Sequence, residues 1–178
     1  MRAPRGARAA AALAASVALA GCAESASRDD VDRSARDFDD EGCAACGMIV
    51  REQPAPRGQV IHRDGTRAFL CSIDDMLTYL AAPSPHGAAV ATYVEALAPG
   101  ADPAERATAA RPWVEAERAG YVVGVERERI MGVPVMVYAS RAGAERAAAT
   151  TGGRAVAWSE LRAAVRAESE RRDPRREE

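Results

Sequence analysis

One order of elements is written twice into this chain, and nothing constrains its fold more. In the first copy, Met48-Ile49-Val50 and Gln59-Val60-Ile61-His62 read as short strands, and Ala68-Phe69-Leu70-Cys71 as a returning strand. Between the last two lies Arg63-Asp64-Gly65-Thr66. Asp-Gly between apolar runs is a hairpin signal, because tight turns need the left-handed backbone that glycine adopts freely. Ser72 then stands where a helix N-cap belongs, and Ile73, Met76, Leu77 and Leu80 give a helix over 73–80 one apolar face. Val90 to Leu97 reads as a closing strand.

The second copy keeps that order. Tyr121 to Val125 is a strand, Val133 to Tyr138 its hairpin partner, and Ser140 caps a helix over 143–149. Gly152-Gly153 ends the helix, and Ala155 to Trp158 closes the unit. Phe69-Leu70-Cys71-Ser72 and Val137-Tyr138-Ala139-Ser140 fall at matching strand-to-cap positions. The expected fold is α+β: two similar ββαβ halves with short antiparallel hairpins and covering helices. The halves are expected over 43–98 and 113–165, joined by an Ala/Pro/Gly-rich linker at 99–112, after which Trp113 to Arg118 reads as a short helical turn. Aromatic residues make up 4% of the chain, so its core must come from Val, Ile, Leu, Met and Ala.

The first residues read as a lipoprotein signal. Arg2, Arg5 and Arg8 form a positive start, and Ala9 to Ala20 an apolar run too short to span a bilayer. The run ends in Leu19-Ala20-Gly21-Cys22, the pattern of a lipobox, so 1–21 is expected to be cleaved and Cys22 to carry the lipid. Several acyl chains suffice for stable anchoring. Ala23 is not the Asp that retains lipoproteins at the inner membrane, so in a Gram-negative cell the expected site is the outer membrane, facing the periplasm. Residues 22–42 are polar and charged and read as a flexible tether; 166–178 read as a charged tail, a frayed helix end followed by disorder. Loss of the three signal arginines moves the formal charge from −2 to −5, which gives no reason to expect a nucleic-acid partner.

Against that compartment, the cysteines are informative. Removing Cys22 leaves Cys43, Cys46 and Cys71, an odd number that cannot be fully paired within one chain. Cys43-Ala44-Ala45-Cys46-Gly47-Met48 puts two thiols and a thioether in one short stretch. Three readings are open. A thiol–disulfide pair wants the exposed start of a helix, whereas this motif leads into β-branched Ile49-Val50. A zinc knuckle could be assembled from Cys43, Cys46, His62 and Cys71. Cu(I) suits Cys46, Met48 or both, with Met131 from the second copy, since thioethers need no deprotonation and cannot be lost to disulfides.

The plainer roles are equally specific. Cys71 between Leu70 and Ser72 reads as a small buried hydrophobe, and Met76 and Met136 as core. His62 reads as a solvent-facing strand end and His86 as loop. Asp74 and Asp75 read as first-turn charges favoured by the helix dipole. No catalytic triad pattern, phosphate loop or nucleotide fingerprint is present, so an enzyme is not expected.

Taken together, the lipobox, Cys43-x-x-Cys46-Gly47-Met48 and Phe69-Leu70-Cys71-Ser72-Ile73-Asp74-Asp75-Met76 resemble the NosL family, lipoprotein accessory factors of nitrous oxide reductase. Trp113-Val114-Glu115-Ala116, Tyr121-Val122, Met131-Gly132 and Gly152-Gly153 extend the resemblance over residues 43 to about 165. It implies two ββαβ halves similar to the organomercurial lyase core, and a Cu(I)-binding metallochaperone that delivers copper to nitrous oxide reductase or its assembly machinery. It points first to Cys46 and Met131 as ligands, then to Met48, with His62 as a nitrogen donor. Cys43 is a further candidate metal ligand, and the Cys43/Cys46 pair also reads as a redox guard.

Overall fold

The computed structural model of the protein describes residues 31–173, apart from 38, 55, 102–110 and 128–131. Met131 and Cys22 therefore lie outside the described residues, as does most of the linker. The first half runs β1 (Gly58–His62), β2 (Arg67–Leu70), α1 (Ile73–Ala81) and β3 (Ala89–Glu95). After β4 (Trp113–Glu115), the second half runs β5 (Gly120–Val123), β6 (Met136–Tyr138), α2 (Arg141–Thr151) and β7 (Arg154–Val156), and α3 (Trp158–Arg172) follows. Strand, strand, helix, strand thus occurs twice, in an α+β fold with two antiparallel sheets.

The first sheet has the order β2-β1-β3-β4 and the second β6-β5-β7, so β1 is an inner strand of the first, beside β3, and β5 the central strand of the second. Every residue of β1 and β5 is buried. A strand covered on both faces has no solvent side, which is why Tyr121-Val122-Val123 shows no alternation. In β1 the outer face carries Gln59, which stays polar because it is fully bonded. Its amide donates to the Arg36 carbonyl at 2.8 Å and accepts from Arg67 Nη1 at 2.7 Å. Residues 31–37, at the end of the segment read as a tether, lie across this face. Tyr93 donates to the Arg33 carbonyl at 2.7 Å, and the Arg36 guanidinium sits 5.4 Å from the Phe69 ring centre.

Three local readings change. Trp113–Glu115 is a strand, because β3 offers an unpaired edge and Val94 takes Val114 as its partner. Met48-Ile49-Val50 forms no regular strand: Ile49 makes one isolated bridge with Gly42, and Val50–Glu52 turn into a 3-10 helix. The charged stretch from Arg166 continues α3 to Arg172, where Glu168 is buried and meets Arg171 and Arg172. The i, i+3 and i, i+4 pairs of Glu168 with Arg171 and Arg172 support its last turn, while Leu161, Ala164 and Val165 pack in the core.

The halves share one core. Val60, Leu70 and Met76 of the first pack in the same cluster as Tyr121, Val123, Val156 and Leu161 of the second. A parallel bridge between Leu97 and Tyr138, with Leu97 N–H donating to the Val137 carbonyl at 2.8 Å, ties the sheets directly. Arg57 and Glu95 brace the far ends of β1 and β3 as a buried ion pair, with Nη2 to Oε1 at 2.8 Å and Nε to Oε2 at 2.5 Å. Among the described residues, no helix is long and apolar enough to cross a membrane.

Candidate metal centre

The loop that carries Cys43 and Cys46 is closed by its own backbone. Cys43 N–H donates to the Met48 carbonyl at 2.7 Å and Gly47 N–H to the Cys43 carbonyl at 2.8 Å. The turn needs a left-handed residue, and Gly47 supplies it at φ +79°. Ala44 N–H then docks the loop on β2 through the Phe69 carbonyl at 2.9 Å. That last bond sets the loop beside the end of β2, where the chain continues into Cys71 and the start of α1.

At that helix start the chemistry gathers. Ser72 caps α1 by accepting from Asp75 N–H at 3.0 Å. Cys71 precedes the cap and Asp75 lies four residues beyond Cys71, so one turn brings both to the same side. Asp75 Oδ2 accepts from Cys71 Sγ at 2.9 Å and from Cys43 Sγ at 3.5 Å. Cys43 Sγ accepts from Cys71 N–H at 3.3 Å, and Cys46 Sγ stands 3.4 Å from Cys71 Sγ. One ligand atom from each of Cys43, Cys46, Cys71 and Asp75 lies within 4.8 Å of the others.

The group is asymmetric. Cys43 and Cys71 are buried, at 4% and 3% exposure, while Cys46 is exposed. Burial pushes the Cys71 thiol well above its ordinary range, and its bond to Asp75 adds to the shift. Partial desolvation also raises the Cys46 thiol, opposed by a backbone hydrogen bond from Met48. Both shifts favour the protonated thiol at Cys71 and Cys46, so a metal entering here must displace protons.

The other residues singled out from the sequence fall elsewhere. Met48 is half-buried and packs against the main core. His62 is buried rather than solvent-facing, and stands outside the thiol group. Its Nδ1 lies 2.8 Å from the Gly87 carbonyl and its Nε2 2.8 Å from the Tyr79 hydroxyl. A carbonyl can only accept, so Nδ1 carries the proton and Nε2 accepts from Tyr79. Gly132 and Val133, which follow Met131, are held at α1: Val133 N–H donates to Asp74 Oδ2 at 2.9 Å. From sequence, Cys71 reads as core or as one of the four zinc-knuckle donors, and Asp75 as a helix charge. The spacing Cys71-x-x-x-Asp75 across an N-cap was the available sign that the two share one side of the helix.

Three thiols and a carboxylate gathered at one helix start of an α+β domain form a donor set that could hold a metal ion, and its sulfurs suit a soft one. The NosL family model matches residues 37–166, and the chain belongs to the NosL family. It is 28% identical over 150 residues to the copper-binding lipoprotein NosL of Stutzerimonas stutzeri, covering 80% of this chain and 73% of that one. Its fold is similar to the crystal structure of the copper chaperone NosL from Shewanella denitrificans, with a TM-score of 0.58 and 24% identity over 72% of this chain and 96% of that one. The solution structure of apo-NosL from Achromobacter cycloclastes matches at a TM-score of 0.44 and 25% identity, covering 58% of this chain and 82% of that one.

Proposed function

We propose that this protein is an extracytoplasmic metallochaperone, lipid-anchored through Cys22, that binds Cu(I) and delivers it for maturation of nitrous oxide reductase. The observation that carries this reading is one exposed thiol, Cys46, set against two buried ones with all three sulfurs within 4.8 Å. Thiolates are soft donors and select Cu(I) over harder ions. A carrier must also give its cargo up, and an exposed ligand is one that a recipient's own sulfur or nitrogen can replace.

Cys46 is the central ligand of this reading. Met48, two residues on, and Met131 are the thioether donors, and the Asp74 bond to Val133 supports the second by holding the following residues at the helix that carries Asp75. Cys43 backs Cys46 from the interior. His62 contributes only if it gives up its bonds to Gly87 and Tyr79. The kinship with a copper-binding lipoprotein supports both the cargo and the anchor.

The test is competition between the reduced protein and a chromophoric Cu(I) chelator, followed by transfer. One Cu(I) per chain is expected, with Cys46→Ser and Met131→Leu each weakening binding. Mixing the loaded protein with copper-free nitrous oxide reductase should raise the copper content of the reductase. Loaded protein that keeps its copper beside that acceptor contradicts delivery, and absence of binding contradicts the whole reading.

Asp75 favours one further reading, in which zinc takes the three thiolates and this carboxylate in place of His62. In that case the protein as isolated carries zinc, and its melting temperature falls on chelation.

A further inference from the structure

We propose that the working cysteine pair of this site is Cys46 with Cys71, and that their disulfide shuts the site, so that copper loading and oxidation exclude one another. This rests on the Cu(I) reading above and adds its regulation. The Cys-x-x-Cys spacing invites the opposite pairing, Cys43 with Cys46. The geometry does not favour it.

Cys46 Sγ lies 3.4 Å from Cys71 Sγ. A disulfide bond is about 2.05 Å long, so closure asks the two sulfurs to approach by about 1.4 Å. Cys46 sits in an exposed surface turn, where such a displacement needs no repacking of the core. Cys43 is differently placed. Its sulfur accepts from Cys71 N–H at 3.3 Å and bonds Asp75 at 3.5 Å, in a buried position. Pairing Cys43 with Cys46 would pull on the buried sulfur that accepts from Cys71 N–H, and lengthening that 3.3 Å bond weakens the pairing of a buried donor. Pairing Cys46 with Cys71 leaves that bond intact and gives up the Cys71 Sγ–H bond to Asp75, whose carboxylate is half-exposed and keeps Cys43 as a donor.

The exposure pattern orders the steps. An external disulfide, either a small molecule or a Cys-x-x-Cys protein, can reach only Cys46. The Cys46 thiolate attacks one of its sulfurs, giving a mixed disulfide and releasing the first thiol. Cys71 Sγ then attacks Cys46 Sγ and expels the second thiol. Two electrons pass from the cysteine pair to the external disulfide, and the two cysteine protons end on the two leaving thiols. The product has no thiolate at Cys46 or Cys71 and keeps only Cys43, which is buried. A Cu(I) ion already bound to Cys46 occupies the electron pair with which Cys46 would attack, so the loaded protein resists oxidation.

The experiment uses the purified full chain, oxidised with excess oxidised glutathione, alkylated, digested and mapped by mass spectrometry. The expected crosslink joins Cys46 to Cys71, with Cys43 alkylated only after unfolding. Oxidised protein should take up less than a tenth of the Cu(I) bound by reduced protein, and a thiol reductant should restore the rest. Preloading with Cu(I) should slow crosslinking at least tenfold. Cys43→Ser should keep the crosslink and Cys71→Ser should lose it; if Cys71→Ser does not fold, the map of the unsubstituted chain decides. A Cys43–Cys46 crosslink, a crosslink between chains only, or undiminished copper binding by oxidised protein overturns the proposal. Reduced protein that binds no Cu(I) overturns the copper reading itself, a different result from reduced and oxidised protein binding alike.

Discussion

The two halves of this protein are built alike where α1 and α2 begin, and only one of them carries chemistry. Ser72 caps α1 by accepting from Asp75 N–H at 3.0 Å, and Ser140 caps α2 by accepting from Gly143 N–H at 3.2 Å. The residue before the cap is Cys71 in one and Ala139 in the other; the third residue after it is Asp75 in one and Gly143 in the other. The scaffold that aims a side chain across the helix start is thus present twice. What differs is the pair of side chains on it and the Cys43–Met48 loop docked beside the first. The second half is a natural control for the first.

The largest expected effect separates the halves by their thiols. Cys46→Ser should weaken Cu(I) binding by about 100-fold, or about 2.7 kcal/mol, with little change in melting temperature, because Cys46 is exposed. Placing a thiol at the matching position of the other half, Ala139→Cys, should add no second copper ion. An Ala139→Cys protein that binds two would mean that the cap geometry alone makes the site.

Next come the glycines that open β1 and β5. A Cβ at Gly120 would lie 2.4 Å from the Ser140 carbonyl oxygen and 2.8 Å from Arg141 Cα, both rigid backbone. A Cβ at Gly58 would lie 2.5 Å from Met76 Sδ, the far end of a flexible side chain. Overpacking of this kind costs about 1–3 kcal/mol. Gly120→Ala should fall at or above the top of that range in denaturant unfolding, and Gly58→Ala near or below its bottom. Equal costs would mean that α1 and α2 pack on their strands in the same way, contrary to the distances.

The caps sharpen the comparison further. Ser72→Ala and Ser140→Ala should each cost about 1 kcal/mol of stability. Only Ser72→Ala should also lower Cu(I) affinity, since Asp75 and Cys71 flank that cap. The smallest effect is electrostatic. Bonds from Thr66 N–H and then from His86 hold the Asp64 carboxyl down at about 2. A carboxylate held below its unfolded value stabilises the fold at pH above that value, and the contribution is lost as pH falls through about 2. Asp64→Asn should therefore flatten a small part of the stability loss between about pH 4 and pH 2 and leave copper binding unchanged.

Much of this architecture was legible in the sequence because it rests on local signals. Asp64-Gly65 and the two serine caps marked the hairpin and both helix starts within a residue or two of where they fall. The doubled order followed from them. What escaped depends on distant partners. Trp113–Glu115 is a strand because β3 leaves an edge for it, and α3 runs on to Arg172 with Leu161, Ala164 and Val165 packed in the core and Glu168 paired to Arg171 and Arg172. The site divides in the same way. Cys46 and Cys43 announced themselves by spacing, whereas Cys71 and Asp75 join them only once Ala44 docks on β2. His62, a donor by residue type, is taken up by Tyr79 and Gly87, partners that a sequence does not place beside it.

The central claim is that the thiols at the start of α1 hold copper as Cu(I). X-ray absorption of the reduced, copper-loaded protein tests it most directly. The account predicts one Cu(I) per chain in a sulfur-dominated shell that loses a sulfur in Cys46→Ser. A shell dominated by nitrogen and oxygen, or one unchanged by Cys46→Ser, contradicts it.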